Sequence, residues 1–235
     1  MISVCMATYN GESFIKEQLT SILCQLGDND EIVITDDAST DKTVDIITNI
    51  KDKRIKLSIN PKNFGVIYSF NLSLENSKGD IIFLSDQDDI WLESKVDLCV
   101  TRLRTYDLIV TNCYVTDENL NVIQNSFFSC LDSGAGIIKN FYKNTYVGCC
   151  MAFNRKILKE VLPIPRGLMM YHDAWIGMIS NIKYSVFFEK RPLLLFRRYS
   201  GNSSSSTEKS SNGLVFKVFS RVQLFFLILR RMYFG

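Results

Sequence analysis

The sequence contains a single histidine, His172, among its 235 residues. A metal centre that needs two or more histidine ligands is therefore excluded. The seven cysteines are odd in number and include no Cys-x-x-Cys pair. Several of them lie inside apolar segments, so we expect reduced, packed thiols in a cytosolic protein rather than disulfides.

Three further features are absent, and each removes a class of protein. No Gly-x-Gly-x-x-Gly follows the first apolar segment, residues 2–7, which counts against a nicotinamide or flavin enzyme. No charged region with an apolar signal core precedes that segment, so nothing there predicts secretion. The 27 basic and 25 acidic residues leave a net charge of +2, which gives no footprint for binding nucleic acid.

The first part of the chain alternates between strand-like and helical patterns about every 25 to 30 residues, which is typical of βαβ units and a parallel sheet. Buried strands are predicted where bulky apolar residues run together, at 2–7, 31–35, 55–59 and 81–84. Helices are predicted from apolar residues at helical spacing, at 14–23, 44–50 and 66–75. The sequence therefore predicts an α/β domain.

The second part is less regular. It carries a predicted helix at 92–104, a strand at 107–113, an irregular region at 114–145, a strand-like segment at 146–154, a short helix at 155–162, a helix ending at 182 and two apolar stretches within 184–198. We divide the domain, residues 1–200, into halves at 1–113 and 114–200. A mobile Ser-rich loop is predicted at 201–213 and an amphipathic tail at 214–235.

Acidic residues end the fourth predicted strand abruptly. Asp86, Asp88 and Asp89 follow it, at the edge where open α/β sheets bind ligands. Asp86 and Asp88 are two apart, so on an extended backbone they point the same way. Converging like charges need a cation or a shared proton. A hard divalent ion carrying a diphosphate fits this requirement, whereas a solvated acidic turn is the simpler alternative.

Three segments of the chain, in order and spacing, carry a resemblance to a known family. They are Ser3–Asn10 (SVCMATYN), Asp36–Asp41 (DDASTD) and Ser85–Trp91 (SDQDDIW). Together they resemble family 2 glycosyltransferases of the GT-A fold, and the likeness covers roughly residues 1–200. His172-Asp173-x-Trp175 is similar to a segment of the bacterial rhamnosyltransferase-like members. The resemblance implies a Rossmann-like, mostly parallel sheet flanked by helices, and inverting, metal-dependent transfer from a nucleotide-diphosphate sugar.

The resemblance also implies a donor site at the strand ends. Its nucleotide-sugar-binding residues are Thr8, Tyr9, Glu12, Asp37, Asn63 and Asp86. Asp37 accepts a hydrogen bond from the nucleobase, as a carboxylate is suited to do, although complementing a helix dipole would also explain an acid there. Asp88, with Asp86, binds Mn²⁺ or Mg²⁺, which stabilises the charge that develops on the departing diphosphate.

Asp173 is the candidate general base that takes a proton from the acceptor hydroxyl; helix capping is its structural alternative. Acceptor binding is expected at Asp89, His172 and Trp175. The structural alternative is helix capping for Asp89 and core packing for His172 and Trp175. Family members often close this region with an Arg-x-His-Gly-Asn-like stretch. Here Arg197 and Arg198 precede a segment without histidine, so the two arginines become the candidates for binding the diphosphate.

The tail combines large apolar residues with Lys217, Arg221, Arg230 and Arg231. Its longest uninterrupted apolar run, 224–229, is far shorter than the roughly 20 residues that span a bilayer. This pattern favours a helix lying on an anionic membrane surface, with packing on the core or on a second chain as the alternative. We therefore expect a cytoplasmic protein, peripheral at the inner face of the cell membrane.

The leading functional hypothesis is an inverting glycosyltransferase that extends a surface polysaccharide. The expected donor is a nucleotide-diphosphate sugar, with rhamnose from dTDP-rhamnose favoured, and the acceptor is a glycan or a polyprenyl-linked glycan. A sugar-phosphate nucleotidyltransferase is one alternative, although residues 8–12 lack the cation that such enzymes use after the first strand. A non-catalytic glycan-binding or scaffold protein on the same fold is the other. No nucleic acid is expected as a partner.

Overall fold

A computed structural model describes residues 1–199 and 213–234 of the chain. Its first part is a regular α/β alternation: β1 Ile2–Thr8, α1 Ile15–Leu23, β2 Glu31–Asp36, α2 Thr43–Asn49, β3 Ile55–Ile59, α3 Val66–Asn76 and β4 Ile81–Ser85. The predicted strands and helices of this part are all present, with ends that differ by one or two residues.

Strands β3, β2, β1 and β4 pair side by side in that order, all parallel. Every residue of β2 is buried, and the middle of β1 is fully buried as well. Such strands read as continuous apolar runs because both faces of the sheet are covered. Helix α1 directs Ile15, Leu19 and Ile22 into this core, at the spacing that places them on one helical face.

The second part contributes β5 Ile90–Trp91, α4 Lys95–Arg102, β6 Leu108–Thr116, β7 Val122–Gln124, α5 Phe127–Leu131, α6 Ile137–Tyr142, β8 Met151–Asn154, α7 Leu158–Val161, α8 His172–Lys183, β9 Val186–Arg197 and α9 Leu214–Phe234. Two short 3-10 turns, Gly148–Cys150 and Arg155–Ile157, flank β8. Here the order of the strands in space departs from their order in the sequence.

Strand β8 lies between β4 and β6 and is antiparallel to both, while β9 runs parallel to β6 and β5 pairs antiparallel with β9. The sheet is therefore parallel in its first four strands and mixed beyond them. Because β8 lies between β4 and β6, the two halves of the chain share one sheet, and the end of β4 lies beside residues that come much later in the sequence.

Three segment predictions in the second part were wrong in detail. The segment 114–145, predicted to be irregular, contains the end of β6, a strand and two short helices. The two apolar stretches within 184–198 form one strand, β9, whose pairing with β6 shifts register near Thr111 and Asn112. The helix predicted at 92–104 is shorter, because Ser94 takes a left-handed conformation with φ of 68° immediately before it.

Helix α9 packs on the domain along one side. Leu224 and Ile228 are buried, and the Arg231 guanidinium donates hydrogen bonds to the carbonyls of Leu162, at 2.5 Å, and Pro163, at 2.6 Å. None of the described helices is both long and apolar enough to cross a bilayer. Apart from Gly213, the predicted mobile loop, 201–213, lies outside the described residues.

Candidate active site

The acidic residues of both halves of the chain meet at the carboxyl ends of the parallel strands. Asp86 follows β4, and Asp173 lies in the first turn of α8. Burial raises the pKa of Asp86 to about 8, and the negative charges of Asp88 and Asp173 add to that effect. Asp173, which is distant in sequence, therefore lies close enough to Asp86 for its charge to be felt there.

The chain bends at residues 87 and 88, so strand alternation does not set the directions of Asp86 and Asp88. Asp89 is almost completely buried after this bend, and its Oδ1 accepts a hydrogen bond from the backbone N–H of Arg197 at 3.1 Å. Burial raises the pKa of Asp89 well above its usual range, and the negative charges of Asp88 and Asp86 raise it further. Three carboxylates thus occupy a poorly solvated space.

Asp173 has the electrostatic character of a weak base. Burial raises its pKa to about 6, although the backbone N–H groups of Ala174 and Gly148 donate to its carboxylate and oppose that shift. Gly148 approaches α8 closely, because a Cβ at that position would lie 2.9 Å from His172 Nε2. The glycine therefore allows the backbone donor to reach Asp173.

Thr8 of the first motif and Asp36 of the second are both buried and are joined by a hydrogen bond. Thr8 Oγ1 donates to Asp36 Oδ2 at 2.7 Å, and Ser39 donates to the same carboxylate from its backbone N–H and its hydroxyl. Both side chains are buried. They hold together the ends of β1 and β2, whereas the Tyr9 ring stays exposed at the mouth of the site.

Asp37 holds the loop that follows β3. Its Oδ1 accepts from Asn60 Nδ2 at 2.8 Å and from the backbone N–H of Phe64 at 2.9 Å, and its Oδ2 accepts from that of Gly65 at 2.7 Å. Gly65 requires its flexibility here, since its φ is 93°. Asn63, the loop residue identified from sequence, is exposed, while the buried amide that anchors the loop belongs to Asn60.

Glu12 belongs to the loop after β1, and its side chain lies beside the N-terminus of α2. Its Oε2 accepts from the backbone N–H of Lys42 at 2.9 Å, and its own N–H donates to Asp41 Oδ2 at 3.0 Å. This position suits an anion, because the free N–H groups of a helix lie at its N-terminus. In this structure Glu12 and Asp41 therefore link the loop after β1 to α2.

Gln87 is a site residue that the sequence analysis missed. Its side-chain amide pairs with the backbone of Tyr9 in both directions, donating to the carbonyl at 3.0 Å and accepting from the N–H at 2.9 Å. A Cβ on Gly11 would lie 2.4 Å from Gln87 Oε1, so only glycine fits beside this contact. An isolated glutamine between two acids carries no periodic signal that could reveal such a role.

His172 and Trp175, the expected acceptor residues, are packed inside. The Trp175 ring is completely buried and its Nε1 donates to the Val161 carbonyl at 2.8 Å. The His172 ring stacks on Phe70 with a centroid distance of 3.9 Å, and burial lowers its pKa to about 3. Trp175 is thus packed with its polar nitrogen satisfied, whereas both ring nitrogens of His172 are buried without a hydrogen-bond partner among the described residues.

Arg197, a candidate for binding the diphosphate, is buried and engaged by the protein itself. Its guanidinium donates to the carbonyls of Asp88, at 2.8 Å, and Glu118, at 2.6 Å, and to Glu17 Oε2 at 2.9 Å. The side chain thus ties the acidic bend to β9 and α1. Arg198 differs, because its buried Nη1 has no hydrogen-bond partner among the described residues.

The side chains of the bend fit a divalent cation. Ligand atoms of Asp86, Asp89 and Cys149 lie within 4.8 Å of one another, and Asp89 Oδ2 is buried without a hydrogen-bond partner among the described residues. The charge of Asp88 reaches the same space. Carboxylate oxygens such as those of Asp86 and Asp88 suit Mg²⁺ or Mn²⁺, whereas the Cys149 sulfur adds nothing to the binding of Mg²⁺.

The comparison with protein families decides the classification. The family model for glycosyl transferase family 2 matches residues 3–162, which include the strand-end carboxylates and most of the mixed sheet. The chain belongs to glycosyl transferase family 2. The family expected from the sequence is thereby confirmed.

Several relatives are named for their donors, and two of them match over most of this chain. The chain is 32% identical over 182 residues, covering 77% of this chain and 70% of the relative, to the Escherichia coli UDP-Glc:alpha-D-GlcNAc-diphosphoundecaprenol beta-1,3-glucosyltransferase WfgD. It is 28% identical over 224 residues, covering 84% and 72%, to the Shigella flexneri dTDP-rhamnosyl transferase RfbG. The chain spans between 34% and 63% of the length of three relatives that are described as uncharacterized glycosyltransferases.

Among solved structures, Staphylococcus aureus TarS 1-349 in complex with UDP-GlcNAc matches with a TM-score of 0.70 at 18% identity. The match covers 99% of this chain and 72% of TarS 1-349. At this identity the likeness concerns the fold, and it confirms the GT-A fold expected from sequence.

The Arg197 contacts give a prediction that separates a structural role from phosphate binding. Arg197→Ala should lower the free energy of unfolding of the nucleotide-free protein by about 3 kcal/mol, because the buried Asp88 carbonyl and the part-buried Glu118 carbonyl lose a charged donor. Urea denaturation measures the change, with the exposed Arg191→Ala as the matched control. Unchanged stability in Arg197→Ala would leave phosphate binding as the better explanation.

Proposed function

We propose that the chain is an inverting glycosyltransferase that transfers a sugar from a pyrimidine nucleoside diphosphate to a hydroxyl of a glycan or polyprenyl-linked glycan. The observation that carries this proposal is the proximity of Asp173 to Asp86. It brings a carboxylate with the basicity of a proton acceptor within electrostatic reach of the carboxylates that a donor diphosphate would meet through a cation.

In this proposal Asp173 removes the proton from the acceptor hydroxyl as that oxygen attacks the anomeric carbon from the face opposite the diphosphate. Asp86 and Asp88 hold the divalent cation, Mn²⁺ or Mg²⁺. When bound, the cation stabilises negative charge on the departing nucleoside diphosphate. Arg198 adds positive charge beside the diphosphate, which is consistent with its unpartnered buried nitrogen.

The donor class is proposed from two relatives, WfgD and RfbG, whose names give their donors. One is named for UDP-glucose and the other for a dTDP-linked rhamnosyl group. Uracil and thymine present the same N–H between two carbonyls, so one acceptor serves both bases. Asp37 is buried and already accepts three hydrogen bonds, so we propose that the loop it holds presents this acceptor and that the exposed Tyr9 ring packs against the base. Rhamnose is one sugar that this class includes.

The acceptor proposal also follows from the relatives. WfgD is named for an acceptor that carries a diphosphoundecaprenol, which is a polyprenyl-linked sugar. We propose an acceptor of this kind, used in the synthesis of a bacterial polysaccharide. Asp89 is too deeply buried to meet such an acceptor directly, so its part in the site is to support Asp86 and Asp88.

Asp173 gives the test of this function. Release of nucleoside diphosphate from UDP-glucose or dTDP-rhamnose, in the presence of Mn²⁺ and an acceptor, should rise as the pH passes upward through about 6, because only ionised Asp173 accepts a proton. Asp173→Asn should lower kcat by about 10²- to 10⁴-fold and remove the rise. The exposed Asp28→Asn is the control. Transfer by Asp173→Asn within a few fold of the wild type would refute the assignment.

Helix α9 carries a membrane proposal. The side chains on its outer face include Val215, 70% exposed, Phe219, 62%, and Phe226, 64%. Burial of Leu224 and Ile228 on the opposite side leaves this outer face without a partner among the described residues. Arg230 is exposed on this outer side, whereas Arg221 and Arg231 donate to backbone carbonyls of the domain. Exposed apolar side chains beside a basic residue are typical of helices that lie in an anionic membrane interface. We propose peripheral binding at the cytoplasmic face of the cell membrane, where a polyprenyl-linked acceptor is anchored.

Replacement of Val215, Phe219 and Phe226 by serine should abolish flotation with vesicles that contain anionic lipid, because the apolar area available for insertion is lost. The buried side of α9 is unchanged, so the fold is retained. Ile123→Ser, at an exposed apolar position on β7, is the control. Equal flotation of the triple variant and the wild type would contradict membrane binding through α9.

A further inference from the structure

A buried thiol, that of Cys149, lies beside the acidic bend. Cys149, in the 3-10 turn before β8, is fully buried and lies with the carboxylates of Asp86 and Asp89 so that one ligand atom from each falls within 4.8 Å of the others. Asp88, the residue expected from sequence to bind the metal, is not part of this group. The group therefore differs from an all-oxygen site both in its ligands and in its depth.

An unpartnered atom points to a missing ligand in this group. Asp89 is 1% exposed, and its Oδ2 has no hydrogen-bond partner among the described residues. A buried carboxylate oxygen without a donor is costly, and each such atom in a native fold calls for an explanation. A bound cation would supply the missing interaction.

The nearby basic groups are directed to other partners. The buried Lys95 Nζ donates to Thr111 Oγ1 at 3.3 Å and to the Cys149 carbonyl at 3.2 Å. The Arg197 guanidinium donates to two carbonyls and to Glu17, and its backbone N–H donates to Asp89. These side-chain hydrogen bonds of Lys95 and Arg197 are thus made with partners other than the carboxyl groups of Asp86 and Asp89.

The ligand types select the kind of cation. A thiolate with two carboxylates suits Zn²⁺, which accepts sulfur and oxygen together in a four-coordinate site. Mg²⁺ takes oxygen ligands and gains nothing from sulfur. We propose that Asp86, Asp89 and Cys149 form an inner site for a thiophilic divalent cation such as Zn²⁺. On binding, the proton of the Cys149 thiol and any protons held by the carboxyl groups of Asp86 and Asp89 pass to solvent, and one sulfur–metal bond and two oxygen–metal bonds form.

This inner site would share Asp86 with the donor site proposed above. If that function holds, a thiophilic ion bound to Cys149 withdraws Asp86 from the donor and lowers nucleotide affinity. This consequence depends on the proposed function, whereas the binding of the ion itself does not. The experiment below therefore uses neither nucleotide nor transfer activity.

Cadmium reports on the site directly, because a Cd²⁺–thiolate bond produces an ultraviolet charge-transfer band. The titration uses the full chain with the exposed Cys24 and Cys130 replaced by serine, so that surface thiols do not contribute. We expect the band to saturate at one equivalent of Cd²⁺ and Zn²⁺ to displace it. Cys149→Ser should abolish the band, while Cys99→Ser, at a buried thiol on α4, should retain it.

Asp89→Asn provides a second, independent variant that keeps every thiol. We expect its Cd²⁺ affinity to fall at least about 10-fold, a loss typical even of residues that only support a metal ligand. Circular dichroism confirms that each variant is folded. The absence of a saturable band in the parent, a band that persists in Cys149→Ser, or unchanged affinity in Asp89→Asn would each overturn the proposal.

Discussion

The gathering of poorly solvated carboxyl groups is the constraint on which the rest of this site depends. Burial raises the pKa values of Asp86, Asp89 and Asp173, and the negative charges of neighbouring carboxylates, Asp88 among them, raise those of Asp86 and Asp89 further. The fold tolerates this cost because the backbone on both sides is fixed. Buried Arg197 holds the bend through its carbonyl contacts, and the mixed sheet holds α8 in place.

Some residues of the strand-end motifs hold adjacent elements together, and another is exposed to solvent. Asp36 and Thr8 bind each other, and Glu12 caps a neighbouring helix, so these polar residues join adjacent elements. Asp37 fixes the loop that closes one side of the site. Tyr9, in contrast, stays open to solvent. A donor molecule would therefore meet a cleft whose walls are already ordered, which reduces the entropy lost on binding.

Local pattern was enough to predict the first part of the fold. Continuous apolar runs and amphipathic spacing located β1 through β4, and parallel pairing placed their acidic ends at one edge. The insertion of β8 between β4 and β6 was not predictable, because antiparallel pairing across some 70 residues leaves no local signal. For the same reason the sequence identified Asp173 but not its position beside Asp86, and it missed the backbone contacts of Gln87 and Arg197.

The central claim is that this carboxylate cluster binds a pyrimidine nucleoside diphosphate through a divalent cation. Calorimetric titration with UDP, dTDP and GDP, each with Mn²⁺ and with EDTA, tests it most directly when wild type and Asp88→Asn are compared. The account predicts that UDP or dTDP binds more tightly than GDP, only with Mn²⁺, and that Asp88→Asn loses this dependence. Binding that ignores the metal, or the absence of binding by all three nucleotides, would contradict the account.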